Sequence, residues 1–94
     1  MNNGMNPPEL YDKDKVAYNC GLAIHKMRKE KGMTQDQVAE MSGVCKTIIS
    51  KIENGAVDAK LKEVIGICNA LDVTIEDLVE ICEVETNFAW VEEN

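Results

Sequence analysis

Apolar side chains recur at helical intervals along most of the chain. Val16, Cys20, Ile24 and Met27 fall three or four residues apart, which predicts a first helix from near Asp12 or Asp14 to Lys31, stopped by Gly32 in the left-handed conformation. Its outer face carries His25, Lys26 and Lys29, so His25 reads as a solvated residue among lysines. In "MTQDQVAEMSG", Thr34 is placed to cap a short second helix that has Asp36 in its first turn, an inner face of Val38, Ala39 and Met41, and an end at Gly43. Val44 then leads into a third helix that begins at Cys45 and closes at Asn54-Gly55. A fourth helix is expected over Lys60 to Ala70, with Leu61, Val64, Ile65, Cys68 and Leu71 turned inward. A fifth is expected over Ile75 to Cys82, started by Thr74 with Asp77 three residues on, and its Ile75, Leu78 and Val79 are a candidate dimer surface.

Outside these periods the pattern changes. Residues 1–11, with Asn, Gly and a Pro-Pro pair, read as a flexible N-terminal arm. Residues 83–94, "EVETNFAWVEEN", are acidic and contain Phe88 and Trp90 at alternate positions, compatible with an ordered arm, a dimer contact or a loose tail. The expected organisation is therefore an arm (1–11), one helical domain (12–82) and an acidic tail (83–94), all-α in class. A hydrophobic content of 45% and only 2 prolines in 94 residues support one small helical domain with a single core.

Composition adds an asymmetry. The net charge is −7, yet residues 15–57 carry seven basic side chains against four acidic ones, whereas residues 58–94 carry two against ten. The negative charge thus belongs mainly to the C-terminal part and leaves the middle of the chain locally basic. No apolar run approaches the roughly 18 residues of a membrane span, and "MNNGMNPPEL" lacks the features of a signal peptide, so a cytoplasmic location without membrane association is expected. Cys20, Cys45, Cys68 and Cys82 are spaced 25, 23 and 14 apart with no C-x-x-C pair. That spacing argues against a metal site and for four reduced thiols that act mainly as small hydrophobes.

Two short helices joined at Gly43 form a helix-turn-helix pattern. The stretches "IHKMRKEKGMTQDQVAEMSGV", "ISKIENG" and "ALDVTIEDL", in this order between Cys20 and about Glu80, resemble the Cro and phage-repressor (XRE) family of DNA-binding domains. The resemblance implies a five-helix bundle, double-stranded DNA as partner, a homodimer on a two-fold operator, no cofactor, and a repressor of transcription that reads the major groove with its third helix.

Helical periodicity of about 100° per residue puts Ile49, Ile52 and Glu53 on one side of that helix and Thr47, Ser50, Lys51 and Asn54 on the other. Lys46 lies between them at the helix start. Expected base contacts are Lys46, Thr47 and Lys51, with Lys51 equally suited to a phosphate. Thr34, Gln35, Ser50 and Asn54 are expected against the DNA backbone, although Asn54-Gly55 also reads simply as a helix stop. The family's pairing of an Arg on the first helix with a Glu on the third implies a structural ion pair between Arg28 and Glu53, because an inward carboxylate needs a partner.

Three features depart from the family pattern. "AVDAKLK" follows Gly55 where basic residues and a Pro are usual. Cys45 stands where Ser or Thr usually caps the third helix; next to Lys46 it is a candidate reactive thiol, but with no resolving cysteine beside it a tolerated small residue is the plainer reading. Ile48 replaces a small polar residue at the flank of the reading face. It is suited there to packing, to a thymine methyl or to a partner surface. A protein-interaction module of antitoxin type, binding a toxin or another protein partner, is the alternative function. A third arrangement has the acidic tail folding over the basic helix and competing with DNA. Enzymatic activity is not expected: there is one His, no phosphate-cradling loop and no nucleophile motif.

Overall fold

A computed structural model describes residues 13–82. The chain forms α1 (Lys13–Glu30), α2 (Gln35–Ser42), α3 (Lys46–Glu53) and α4 (Leu61–Leu71), followed by α5, helical over 75–82; no strand occurs among the described residues. The arm and the tail expected at the two ends lie outside the described residues.

Local chemistry sets the helix ends. Thr34 Oγ1 accepts from the Gln37 amide at 3.0 Å while Gln37 Oε1 accepts from the Thr34 amide at 2.8 Å, so two orphan donors at the start of α2 are satisfied reciprocally. Thr74 and Asp77 repeat the device at the start of α5, with both bonds at 3.0 Å. Cys45, by contrast, makes no side-chain cap bond to α3. The turn from α2 to α3 depends on Gly43, which takes φ +76° and donates its amide to Ala39 O at 3.0 Å. A side chain there would strain the backbone, since only glycine adopts that region freely.

The core is small and aliphatic. Ile24 from α1, Val38 from α2, Ile49 and Ile52 from α3, and Ile67 and Leu71 from α4 are its largest fully buried side chains. Helix α2 packs on α3 and α4, and α1 packs on α3 and α4. Four apolar residues sit elsewhere than the periodicity predicted. Met41 is 63% exposed: the core direction on α2 lies between Val38 and Ala39, and Met41 falls roughly 60° to the far side of Val38. Leu61 is 70% exposed because it is the first residue of α4 and its side chain tilts back beyond the helix start. Ile65, 43% exposed, lies one 100° step from Val64, and the inward place belongs to Ile67. Leu78, grouped by sequence with Ile75 and Val79 as a candidate dimer surface, is buried in the core, while Ile75 and Val79 remain at the surface.

Gly21 fixes how closely α1 and α3 approach. A Cβ at this position would overlap the Ile52 carbonyl oxygen, so the two helices meet main chain to main chain. Backbone cannot step aside as a flexible side chain can. Gly21→Ala is therefore expected to destabilise the domain by about 1–3 kcal/mol or more through overpacking. Thermal unfolding followed by circular dichroism should show the midpoint fall by several degrees, about 4–8 °C per kcal/mol for a domain of this size. An unchanged midpoint would mean that α1 and α3 are not in this contact.

Candidate nucleic-acid interface

The interface is built from the α2–turn–α3 unit and the end of α1. Val38, Ile49 and Ile52 anchor the unit to the core, which leaves the opposite side of α3 outward. There Lys46, Thr47, Lys51 and Asn54 are exposed and Ser50 is half-buried. Ile48 is half-buried and packs against the core at the edge of this face. The single carboxylate of α3, Glu53, is buried, so the exposed side of the helix presents only cationic and neutral polar groups.

Glu53 is the point where the pieces of the interface are joined. Arg28 grips it with two bonds, Nε to Oε2 at 2.7 Å and Nη2 to Oε1 at 2.9 Å, and uses Nη1 to reach the Met33 carbonyl at 2.8 Å. Gln35 Nε2 donates to Oε1 at 3.1 Å. His25 Nδ1 lies 2.8 Å from the same oxygen, an arrangement that requires the proton on Nδ1, with 45% of the side chain exposed. One carboxylate thereby ties together α1, the α1–α2 turn, α2 and α3. Burial pushes the Glu53 pKa up, but the hydrogen bonds from Arg28, His25 and Gln35 and the Arg28 charge outweigh it and hold the carboxyl below its ordinary range. The same bond, reinforced by the charge of Glu53 and opposed by burial, raises the Arg28 pKa.

Sequence spacing does not identify His25 or Gln35 as partners of Glu53. Their side chains meet it only after α1 and α2 dock on α3. Gln35 consequently spends one amide hydrogen inward and keeps its second, together with its main-chain N–H at the start of α2, for other contacts. A second contact is equally invisible in sequence: Lys46 Nζ lies 3.3 Å from Asp36 Oδ2, joining the first turns of α3 and α2. Both groups are exposed, so the pair is weak and easily exchanged. Beside it is a shallow open depression of about 450 Å³ lined by Lys29, Thr34, Gln35, Asp36 and Lys46, with Arg28 at its floor. No group of three or more His, Cys, Asp or Glu side chains able to hold a metal occurs among the described residues. No described helix is long and apolar enough to cross a membrane.

Glu53→Ala is expected to cost about 3–5 kcal/mol because it leaves Arg28 charged and buried, and Arg28→Ala a similar amount. The double variant should lose clearly less than the sum of the two, as read by urea denaturation. The folded pKa of Glu53 lies below its ordinary value of 4.5, so its contribution is complete at neutral pH and disappears as pH falls through 4.5 toward the folded value. Glu53→Gln should flatten that acid limb of the stability profile. An identical acid limb in variant and parent would contradict the assignment.

Comparison with known proteins agrees with this geometry. A helix-turn-helix family model matches residues 24–78. No curated protein sequence matches the chain. Among solved structures, the clp gene regulator ClgR from Corynebacterium glutamicum has the same fold, with a TM-score of 0.79 at 23% identity over 83% of each chain. The restriction-modification controller protein C.Esp1396I, solved as a tetramer in complex with its natural 35 base-pair operator, is 31% identical over 76% of this chain and 93% of its own, with a TM-score of 0.71. The controller protein C.AhdI from Aeromonas hydrophila follows at 25% identity, 71% and 98% coverage and a TM-score of 0.63. The chain belongs to the helix-turn-helix family of Cro and phage-repressor type DNA-binding regulators.

Proposed function

We propose that this protein is a sequence-specific repressor of transcription that binds a two-fold operator as a homodimer and reads the major groove with α3. The observation that carries the reading is the sorting of charge on α3: its only carboxylate is sequestered while Lys46, Thr47 and Lys51 stand exposed on a face pinned from behind by Ile49 and Ile52. Lysines at such a face donate to guanine O6 and N7 or to phosphate, and a threonine bonds a base edge or touches a thymine methyl. In this reading Lys46 and Thr47 contact bases, and Lys51 meets a base or a phosphate. Thr34, Gln35, Ser50 and Asn54 position the backbone. Arg28 and Glu53 act behind the surface by holding α3 in place.

The dimer is supported from two directions. Leu61, Ile65, Ile75 and Val79 leave apolar side chains exposed on α4 and α5. C.Esp1396I, a relative, assembles on its operator as a tetramer. A small reading head covers few base pairs, and two heads on half-sites about one helical turn apart gain affinity and specificity together.

An electrophoretic shift with duplexes from the region upstream of the protein's own gene tests the reading. A retarded band should contain two chains per operator. Lys46→Ala with Thr47→Ala should weaken specific binding by about 1–3 kcal/mol per lost base contact. Unchanged affinity in the double variant would remove α3 as the reading helix. Asp36 supplies an independent test, because it holds the Lys46 ammonium when DNA is absent. Asp36→Asn should tighten binding and steepen the dependence of log K on log salt by up to about 0.9, the increment for one further phosphate contact. A variant that binds more weakly would show that Asp36 assists DNA binding.

A further inference from the structure

Three of the four cysteines, far apart in sequence, meet in the core. Cys68 on α4 and Cys82 on α5 are buried there, and Cys20 on α1 packs against them, half-buried. Cys20 lies within hydrogen-bonding reach of the Cys82 thiol. The remaining cysteine, Cys45, is exposed at the start of α3. Cys20 also has a route to solvent: it lines an open, mainly apolar groove of about 380 Å³ between α1 and α4, together with Val16, Ala59 and Val64, with Lys13 and Asp58 also on its wall. A molecule as small as a peroxide fits this groove readily.

From this arrangement we propose that Cys20 and Cys82 are a redox-active pair, in which Cys20 is oxidised by a peroxide entering through the groove and Cys82 resolves it as an intramolecular disulfide. In the first step the Cys20 thiolate attacks one peroxide oxygen. An S–O bond forms, the O–O bond breaks, the sulfur gives up two electrons, and hydroxide leaves and takes up a proton as water. In the second, the Cys82 sulfur attacks the Cys20 sulfenic acid. An S–S bond forms, the S–O bond breaks, and the leaving hydroxide takes up the Cys82 proton as a second water. The sum is two thiols and one hydrogen peroxide giving one disulfide and two waters.

The surroundings divide the roles. The hydrogen bond from Cys82 favours the thiolate of Cys20 and outweighs the opposing effect of burial. Burial, the neighbouring Cys20 and Asp77 push the Cys68 thiol up, which makes Cys68 a bystander in the same cluster. A disulfide needs its sulfurs at about 2.05 Å, a closure that side-chain rotation and a small shift of α5 must supply. The bond would tie the last described helix to the first and so close most of the domain into one loop, a constraint that acts mainly on the unfolded chain.

The test uses the full chain, reduced, freed of reductant and exposed to hydrogen peroxide, then alkylated, digested and read by mass spectrometry. The expected result is a linked Cys20–Cys82 peptide pair, a fall from four titratable thiols to two, a higher melting midpoint and reversal by dithiothreitol. Cys45→Ser should leave the product unchanged. Cys82→Ser should stop at a Cys20 sulfenic acid that dimedone traps, and circular dichroism reports whether that variant keeps its helices. Should it unfold, iodoacetamide labelling of the unmodified protein decides instead, with Cys20 labelled faster than Cys68. A product confined to Cys45-linked dimers, a Cys20–Cys68 bridge, four thiols surviving peroxide, or Cys68 labelled first would each overturn the proposal.

Discussion

A buried carboxylate is costly unless every lone pair of consequence is met, and in this domain Glu53 meets that demand by recruiting groups from α1 and α2. The requirement has a constructive effect. To satisfy Glu53, Arg28 must extend along the end of α1, Gln35 must sit at the first turn of α2, and α3 must lie across both. Hydrophobic burial is indifferent to small rotations of a helix, whereas a two-bond guanidinium clamp is not. Ile49 and Ile52 thus supply adhesion while Arg28 and Glu53 supply register. Arg28 continues the chain of contacts to the Met33 carbonyl, which fixes the turn leading into α2 as well.

The same clamp shapes the electrostatics of the surface. Had Glu53 faced outward, it would have cancelled one of the two lysines of α3. Drawn inside and neutralised by Arg28, it leaves Lys46 and Lys51 to define the field on that side, although the whole chain carries −7. Among the described residues after 57, the carboxylates Asp58, Glu63, Asp72, Glu76, Asp77 and Glu80 belong to α4, α5 and the segments beside them, not to α3, and at physiological salt charges separated by more than about 8 Å are largely screened from one another. An acidic protein and a locally basic reading face are therefore compatible.

Much of the architecture was legible because it depends on short-range chemistry. Thr34, Gly43 and Thr74 mark helix ends through bonds made within a few residues, and the alternation of Ile49 and Ile52 with Lys51 on α3 follows from helical geometry alone. Periodicity was less reliable near helix ends, where Met41 falls off the core direction of α2 and the Leu61 side chain tilts back beyond the start of α4. What the sequence withheld were pairings set by docking. His25 and Gln35 reach Glu53 across 28 and 18 residues, Asp36 reaches Lys46 across 10, and Cys20 meets Cys82 from opposite ends of the domain. A resemblance in sequence pointed to Arg28 and Glu53 as a pair; nothing comparable pointed to the other members of the cluster. Gly21 was silent for a related reason, since a missing side chain leaves no periodic signal.

The contact that Gly21 permits also bears on how such a domain changes over time. Because α1 and α3 meet through main chain, their separation is inherited with one glycine and is insensitive to drift among the surrounding aliphatic side chains. The exposed positions 46, 47 and 51 take no part in that contact or in the buried core. If those positions read bases, as proposed above, descendants of this chain can exchange one operator for another by substitution there while the platform beneath stays as it is. Scaffold and specificity are, to that extent, separately heritable.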